Sequence, residues 1–230
     1  MALRSPVVKR EMAYENLSYW FDSLGSPVCP RPFLPGDIEA DVAIVGAGFT
    51  GLWTAYYLSR LDPSLRVVVV EREVAGFGAS GRNGGWCSAL FAASPARLAR
   101  MFGTEQMHAM GHAMRDTVDE VGRVANAEGI ECSFRKEGTI DVARSQAQLH
   151  ALRAELEESR HLGIGEDHLA WYGATEARGM LAASGVLGGL FTPDCASIHP
   201  ARLVRGLAEA VERNGVQVYE QCEVLEVVPG

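Results

Sequence analysis

Residues 41–71, DVAIVGAGFTGLWTAYYLSRLDPSLRVVVVE, constrain the fold more than any other part of the chain. DVAIV is a short β-branched run of the kind a buried strand uses. GAGFTG interrupts it, LWTAYYLSRL continues as a helix, and Asp62-Pro63 ends that helix, because a residue before proline avoids the helical region. RVVVVE is then a second buried strand that closes on a carboxylate. Two strands joined by one crossover helix pair in parallel, since an antiparallel pair needs only a turn. The segment predicts a βαβ unit and an α/β fold built on a parallel sheet. The same reading explains why Val42–Leu58 is so apolar without being a membrane span: glycines and Thr50 cross it, and Asp41 and Arg60 bound it.

Gly46, Gly48 and Gly51 fit G-x-G-x-x-G, a weak signal alone and a strong one between a strand and a helix. Gly46 permits the tight turn, Gly48 admits a pyrophosphate to the backbone, and Gly51 with Ala55 lets the helix approach the sheet. The helix N-terminus offers unpaired N–H groups and a partial positive charge to phosphate. Glu71, twenty residues after Gly51 at the end of the next strand, suits the ribose hydroxyls and would repel a 2′-phosphate.

A second glycine-rich stretch, GFGASGRNGG at residues 76–85, starts five residues beyond Glu71. Glycine in this density costs backbone entropy, so something must come close to this chain. Ser80, Arg82 and Asn83 add side-chain donors, and the Arg82 fork can bind two phosphate oxygens at once. Gly84-Gly85 would let the main chain lie against a flat ring. The stretch reads as a clamp around a more distant part of a nucleotide cofactor, against the plainer alternative of a linker.

Outside these motifs the chain is ordinary for a globular protein. Net charge is −8, which disfavours nucleic acid and anionic membranes as partners. Five scattered cysteines without C-x-x-C spacing argue against a disulfide framework or structural zinc, and favour reduced thiols in a cytoplasm. MALRSPVVKREM lacks the apolar core of a signal peptide. YENLSYWFDSL carries aromatics that pin it to the body of the protein, and the four prolines of SPVCPRPFLPGD predict extended chain.

Ser94-Pro95 caps a helix over ARLARMF, and the next helix places Met107, Met110, Met114, Val118, Val121 and Ala125 on one buried face. ECSFRKEGTIDVA predicts two strands turning near Gly138, Leu149, Leu152 and Leu156 mark another helix, and GVLGGLF predicts a strand. His199-Pro200 starts a helix that Asn214-Gly215 stops, and VQVYEQCEVLEVV reads as strand, turn, strand. His108 and His112 lack a third ligand and read as a solvent-facing pair rather than a metal site. Cys87 reads as a small packed residue, and Trp86 as either core or pocket wall.

DVAIVGAGFTGLWTAYYL, VVVVEREVAGFGASGRNGGW and SIHPARLVRGLAEAVERNGVQVYE together resemble the FAD-dependent D-amino-acid oxidase superfamily, with the closest likeness to its amine-oxidising, γ-glutamylputrescine-oxidase-like bacterial branch. The resemblance covers most of residues 35–228. It implies FAD held by Gly46, Gly48, Thr50, Gly51, Glu71, Arg72, Ala79, Ser80, Arg82, Asn83, Gly84, Gly85 and Val224. Glu71 would take the adenosine ribose, the 78–85 loop the pyrophosphate and the approach to the flavin, and the Val224 backbone the adenine. It further implies a Rossmann-type FAD-binding domain with an inserted α+β substrate domain. The expected order is an extension over 1–40, FAD-binding segments over 41–90 and 197–230, and a substrate portion over 91–196.

Members of the superfamily are considerably longer. The resemblance therefore implies an N-terminal part whose C-terminal half is missing, with a complementary C-terminal chain as a partner. The activity implied is oxidation of a C–N bond in an amine or amino acid, for which no catalytic residue is named. Two rivals stand beside it. An NAD-dependent dehydrogenase would share Gly46–Glu71 but has no use for the second stretch, and a non-catalytic half-enzyme would need its complement to hold FAD.

Overall fold

The computed structural model describes residues 2–3 and 13–228. In chain order its elements are β1 (Ala2–Leu3), α1 (Tyr19–Asp22), β2 (Val42–Val45), α2 (Phe49–Leu61), β3 (Val67–Val70), β4 (Trp86–Ser88), α3 (Pro95–Phe102), α4 (Thr104–Ala127) and β5 (Thr139–Ala143). There follow α5 (Gln146–His161), β6 (Ala170–Gly173), α6 (Ala174–Met180), β7 (Gly188–Thr192), β8 (Cys195–Ser197), α7 (Pro200–Arg213), β9 (Gln217–Tyr219) and β10 (Val224–Glu226). The chain forms two compact units, one from residues up to 85, 124–133 and 198 onwards, the other from 86–123 and 134–197.

The first unit is built on a parallel sheet of order β2-β3-β9, with Val42 opposite Val67 and Val68 opposite Gln217. β3 lies in the middle, and all four of its valines are buried, as a strand covered on both faces requires. α2 buries Leu52, Ala55 and Tyr56, and α7 buries Leu203, Val204, Leu207, Ala208 and Val211 at helical spacing. The expected apolar run from Val42 is thus a strand and a helix, and no helix among the described residues is long and apolar enough to cross a membrane.

The proline-rich segment is extended, and Leu34 packs with Val68, Val70 and Cys222. Arg31 fixes it by a charged network. Its fork meets both oxygens of Glu212 at 2.8 and 2.9 Å and Glu220 at 3.0 Å, and Glu220 is fully buried. Tyr14 and Phe21 pack with Val74 and Ala201, so the N-terminal aromatics do pin that segment. β9 and β10 form the expected strand, turn and strand, with Gln221 at φ +58° in the turn, and β10 pairs antiparallel with β1.

The second unit holds an antiparallel sheet of order β5-β7-β6 and an antiparallel pair of β4 with β8. Ser94 caps α3 by accepting the Arg97 N–H, as its sequence predicts. Two expectations are corrected. ECSFRKEGTIDVA gives one strand rather than two: Ser133 turns left-handed at φ +54°, and Arg135 makes only an isolated bridge to Ser197 before β5 begins. On α4, Met107, Val118 and Ala125 are buried, but Met110 is 37% exposed. Met107, Met110 and Met114 instead line a cleft of about 330 Å³ together with Leu90, Phe91 and Leu162.

Candidate functional site

The glycine turn and the glycine-rich loop of the first unit are joined to each other. The Gly76 N–H donates to the Ala47 carbonyl at 3.0 Å, and the Phe49 N–H donates to Ser80 Oγ at 2.8 Å. Ser80 therefore caps α2 from a distant part of the chain, at a helix whose own N-cap residue, Gly48, has no side chain to offer. An accepting hydroxyl keeps its proton, so Ser80 can still donate outwards. The other first-turn amides of α2, including those of Thr50 and Gly51, have no partner within the helix and face the end of the sheet with the positive end of the helix dipole.

Glu71 anchors the turn. Its Oε2 accepts the Ala47 N–H and its Oε1 the Glu73 N–H, both at 2.9 Å. An ionised carboxylate has about four acceptor positions, so two remain for hydroxyl donors. Arg72 beside it is exposed, 3.9 Å from Glu73. Val224 stands half-buried in β10, packed on the cluster around Leu34 and Val68.

The glycines divide by what a side chain would meet. At Gly51 a Cβ would overlap the Gly46 carbonyl oxygen, which is the close helix–strand approach the motif predicts. At Gly48 it would meet Ser80 Oγ at 3.0 Å, so protein as well as any phosphate excludes it. In the loop, Gly76 (φ +82°) faces Val204, Gly81 faces Phe21 Cε2 at 2.5 Å, and Gly85 faces the Ile198 oxygen at 2.6 Å and Trp20 at 3.0 Å. Gly78 and Gly84 face open space. At Gly85 the missing side chain thus makes room for protein, while Gly84 faces open space.

The loop's donors are also differently used from the sequence reading. Asn83 is committed to the loop itself: its amide donates to the Ala79 and Ser80 carbonyls at 3.2 and 3.0 Å, and its oxygen accepts the Gly85 N–H at 2.8 Å. These bonds close the single 3-10 turn Ala79–Gly81, and they leave no amide proton of Asn83 for a phosphate. Arg82 is exposed, with Nε on the Gly78 carbonyl at 3.2 Å and the guanidinium over the Phe77 ring, so its outer N–H groups stay free.

One supporting layer was not anticipated. α1 braces the loop: Ser18 Oγ donates to the Gly81 carbonyl at 3.1 Å and Trp20 Nε1 to the Asn83 carbonyl at 2.7 Å. His199, buried beneath, is the N-cap of α7 and accepts the Arg202 N–H on Nδ1 at 3.2 Å. Its Nε2–H then donates to Ser23 Oγ at 3.0 Å. Burial first, and the charge of Arg202 second, lower its pKa from the ordinary 6.5. Aromatic spacing in YENLSYWFDSL is the one sequence signal that pointed here.

His112 is exposed on Arg115 at 3.0 Å, whereas His108 is half-buried and lines the cleft of the second unit, so the expected solvent-facing pair is corrected at His108. All five cysteines are free thiols. Trp86, in β4 of the second unit, is 56% exposed.

Comparison with known proteins adds the following. A family model described as FAD dependent oxidoreductase matches residues 41–230. A protein named "Probable oxidoreductase OrdL" of Haemophilus influenzae is 30% identical over 211 residues, spanning 92% of this chain and 48% of its own. Gamma-glutamylputrescine oxidoreductase of Escherichia coli is 29% identical over 213 residues, 93% of this chain and 49% of its own. The chain thus spans about half the length of the curated relatives it matches. Glycine oxidase from Geobacillus kaustophilus is structurally similar with a TM-score of 0.60 and 26% identity, over 80% of this chain and 47% of that one.

Proposed function

The chain belongs to the family of FAD-dependent oxidoreductases described as DAO, and from that premise we propose that its first unit binds FAD for the oxidation of an amine or amino acid. The observation that carries this reading is the joining of the two glycine-rich segments, through Gly76 to Ala47 and Ser80 to Phe49. A dinucleotide turn alone serves NAD equally well; a second glycine loop bonded to it serves a cofactor that runs on past the pyrophosphate.

The residues present fit the group. Gly78 and Gly84 leave open space beside the loop, the first-turn amides of α2 suit a pyrophosphate, and two acceptor positions on Glu71 suit ribose hydroxyls. In this reading Gly46, Gly48, Thr50 and Gly51 hold the diphosphate through backbone, Ser80 and Arg82 add donors, and Val224 serves the adenine through its backbone. Arg72 and Ala79 border the site, and Asn83 and Gly85 shape the loop. Bound FAD would supply a two-electron acceptor that takes hydride from the substrate carbon, leaving an imine for water to hydrolyse. The protein's part is to bind, orient and exclude water, and no side chain is assigned a proton transfer.

The second unit, with its antiparallel sheet and apolar cleft, is proposed as the substrate portion. The substrate is proposed from the relatives as an amine or amino acid. The −8 charge and the scattered free thiols support a small-molecule enzyme of a reducing compartment such as the cytoplasm.

The test is a titration of the purified chain with FAD and with NAD, followed by absorbance and calorimetry. FAD is expected to bind with flavin spectral shifts and NAD not to compete. NAD binding without FAD binding would overturn the proposal in favour of a dehydrogenase. Anaerobic bleaching of the flavin by a panel of amines and amino acids then reads the activity. FAD binding without bleaching by any of them supports the non-catalytic reading instead.

A further inference from the structure

α7 carries a second feature that the FAD reading does not use. Its face opposite the apolar stripe presents Arg202, Arg205, Glu209 and Arg213 to a cavity of about 330 Å³, closed on another side by the loop around Ile130. The helix and loop touch closely there, since a Cβ at Gly206 would meet Ile130 Cγ2 at 2.5 Å. No residue of the glycine turn or glycine-rich loop lines this cavity.

Arg205 makes no hydrogen bond or ion pair among the described residues, and its Nη1 is sealed from solvent without an acceptor. A guanidinium carries five N–H donors, and leaving one buried without a partner is costly. The nearby carboxylates are already engaged. Both oxygens of Glu212 are taken by Arg31. Those of Glu220 are taken by the Arg31 side chain, the Arg31 N–H and the Ala75 N–H. Glu128 serves Tyr56, Arg60 and Arg213. Glu209, exposed and one helical turn on, and Glu131, exposed on the loop, share the cavity wall and make no hydrogen bond or ion pair among the described residues. Burial pushes the Arg205 guanidinium below its usual range, and the charge of Glu220 offsets this only in part.

We propose that this cavity is a binding site for a small oxyanion, a carboxylate or phosphate group, held by the N–H groups of Arg205 other than the sealed Nη1, with Arg202 as the second cation. A fork donor binds two oxygens of such a group in parallel, and it supplies the counter-charge that a water molecule would not. Arg202 has only a long bond to the Ser23 carbonyl at 3.3 Å to give up.

The experiment is calorimetric titration of the chain with inorganic phosphate and with succinate, at fixed chloride. Binding of either anion is expected, and the tighter of the two identifies the source. Arg205→Gln should weaken it about tenfold or more, and Arg205→Lys by less, since a point charge replaces the fork. Glu209→Gln, which removes the unbonded carboxylate one helical turn from Arg205, should tighten it severalfold. Arg82→Ala reports anion taken up by the glycine-rich loop instead. Absence of binding by the wild-type chain, or equal binding by Arg205→Gln, overturns the proposal. A loss in Arg82→Ala without one in Arg205→Gln assigns the anion to the glycine-rich loop and overturns it equally. Should Arg205→Gln not fold, Glu209→Gln decides: unchanged or weaker affinity there rejects the site.

Discussion

The 46–51 turn and the 76–85 loop both use glycine heavily, but the space their glycines leave is taken up differently. In the turn, Gly51 is pressed against the Gly46 carbonyl so that α2 can lie on β2. In the loop, Gly76, Gly81 and Gly85 are pressed against Val204, Phe21 and Ile198, while Gly78 and Gly84 face nothing. Three of the loop's five glycines thus serve packing of the loop onto its own unit, and two leave a surface for a ligand. Glycine density announces a close approach, and only the direction of the missing Cβ says whether protein or ligand makes it.

The sharpest way to break this division is to add side chains on both sides of it. Gly51→Ala and Gly81→Ala force a methyl into backbone or ring atoms that have no room to move, and each should lower unfolding free energy by about 3 kcal/mol. Gly78→Ala and Gly84→Ala should stay within about 0.5 kcal/mol of wild type. Urea melts read both. Gly84→Val is the counterpart in binding: it should fold normally and bind FAD about tenfold more weakly. If Gly84→Val bound FAD as well as wild type, the open glycines would have no ligand role and the division would reduce to packing alone.

Glu71 is expected to show a smaller, mixed effect, because it belongs to both sides. It fixes the Ala47 and Glu73 amides and keeps two acceptor positions outward. Glu71→Ala should cost about 1–3 kcal/mol in FAD affinity, the usual loss when polar partners are left unpaired, with a parallel loss of stability from the two freed amides. Equal FAD affinity with reduced stability would make Glu71 a purely structural anchor.

Much of this was legible in the sequence, and for identifiable reasons. β2, α2 and β3 follow from a β-branched run, a glycine turn and a valine run, each a local signal. The pairing of β4 with β8 was not legible, since Trp86–Ser88 and Cys195–Ser197 are three residues each and meet across a hundred residues of chain. Periodicity places Met110 in the core, but it names a face and not what covers it, and here that face borders a cleft. At the site, residue type showed which groups carry donors. It did not show that Asn83 turns its amide back on Ala79 and Ser80, or that α1 braces the loop through Trp20. Those are tertiary choices between equally satisfactory hydrogen bonds.

The smallest expected effect tests the packed side of the loop through pH. His199 lies against Trp20, with ring centroids 5.1 Å apart, next to the Ile198 carbonyl that Gly85 abuts. As N-cap it accepts the Arg202 N–H and so must be neutral on Nδ1. Burial lowers its folded pKa from 6.5. The unfolded chain therefore binds a proton more readily than the folded one, and stability rises with pH across that interval. The contribution is fully present above pH 6.5 and is lost as pH falls towards the depressed folded value. One proton sets an upper limit of about 1.4 kcal/mol per pH unit on the slope. His199→Asn keeps a capping oxygen and cannot titrate, so its stability, measured by urea melts between pH 7 and pH 5, should fall less steeply than that of the wild-type chain. FAD affinity measured over the same range should follow the stability of the packed side, because acid loosens the wall behind Gly85 before it reaches Gly84. Parallel pH slopes in the two proteins would remove His199 from the support of the loop and leave Trp20 and Ser18 as its brace.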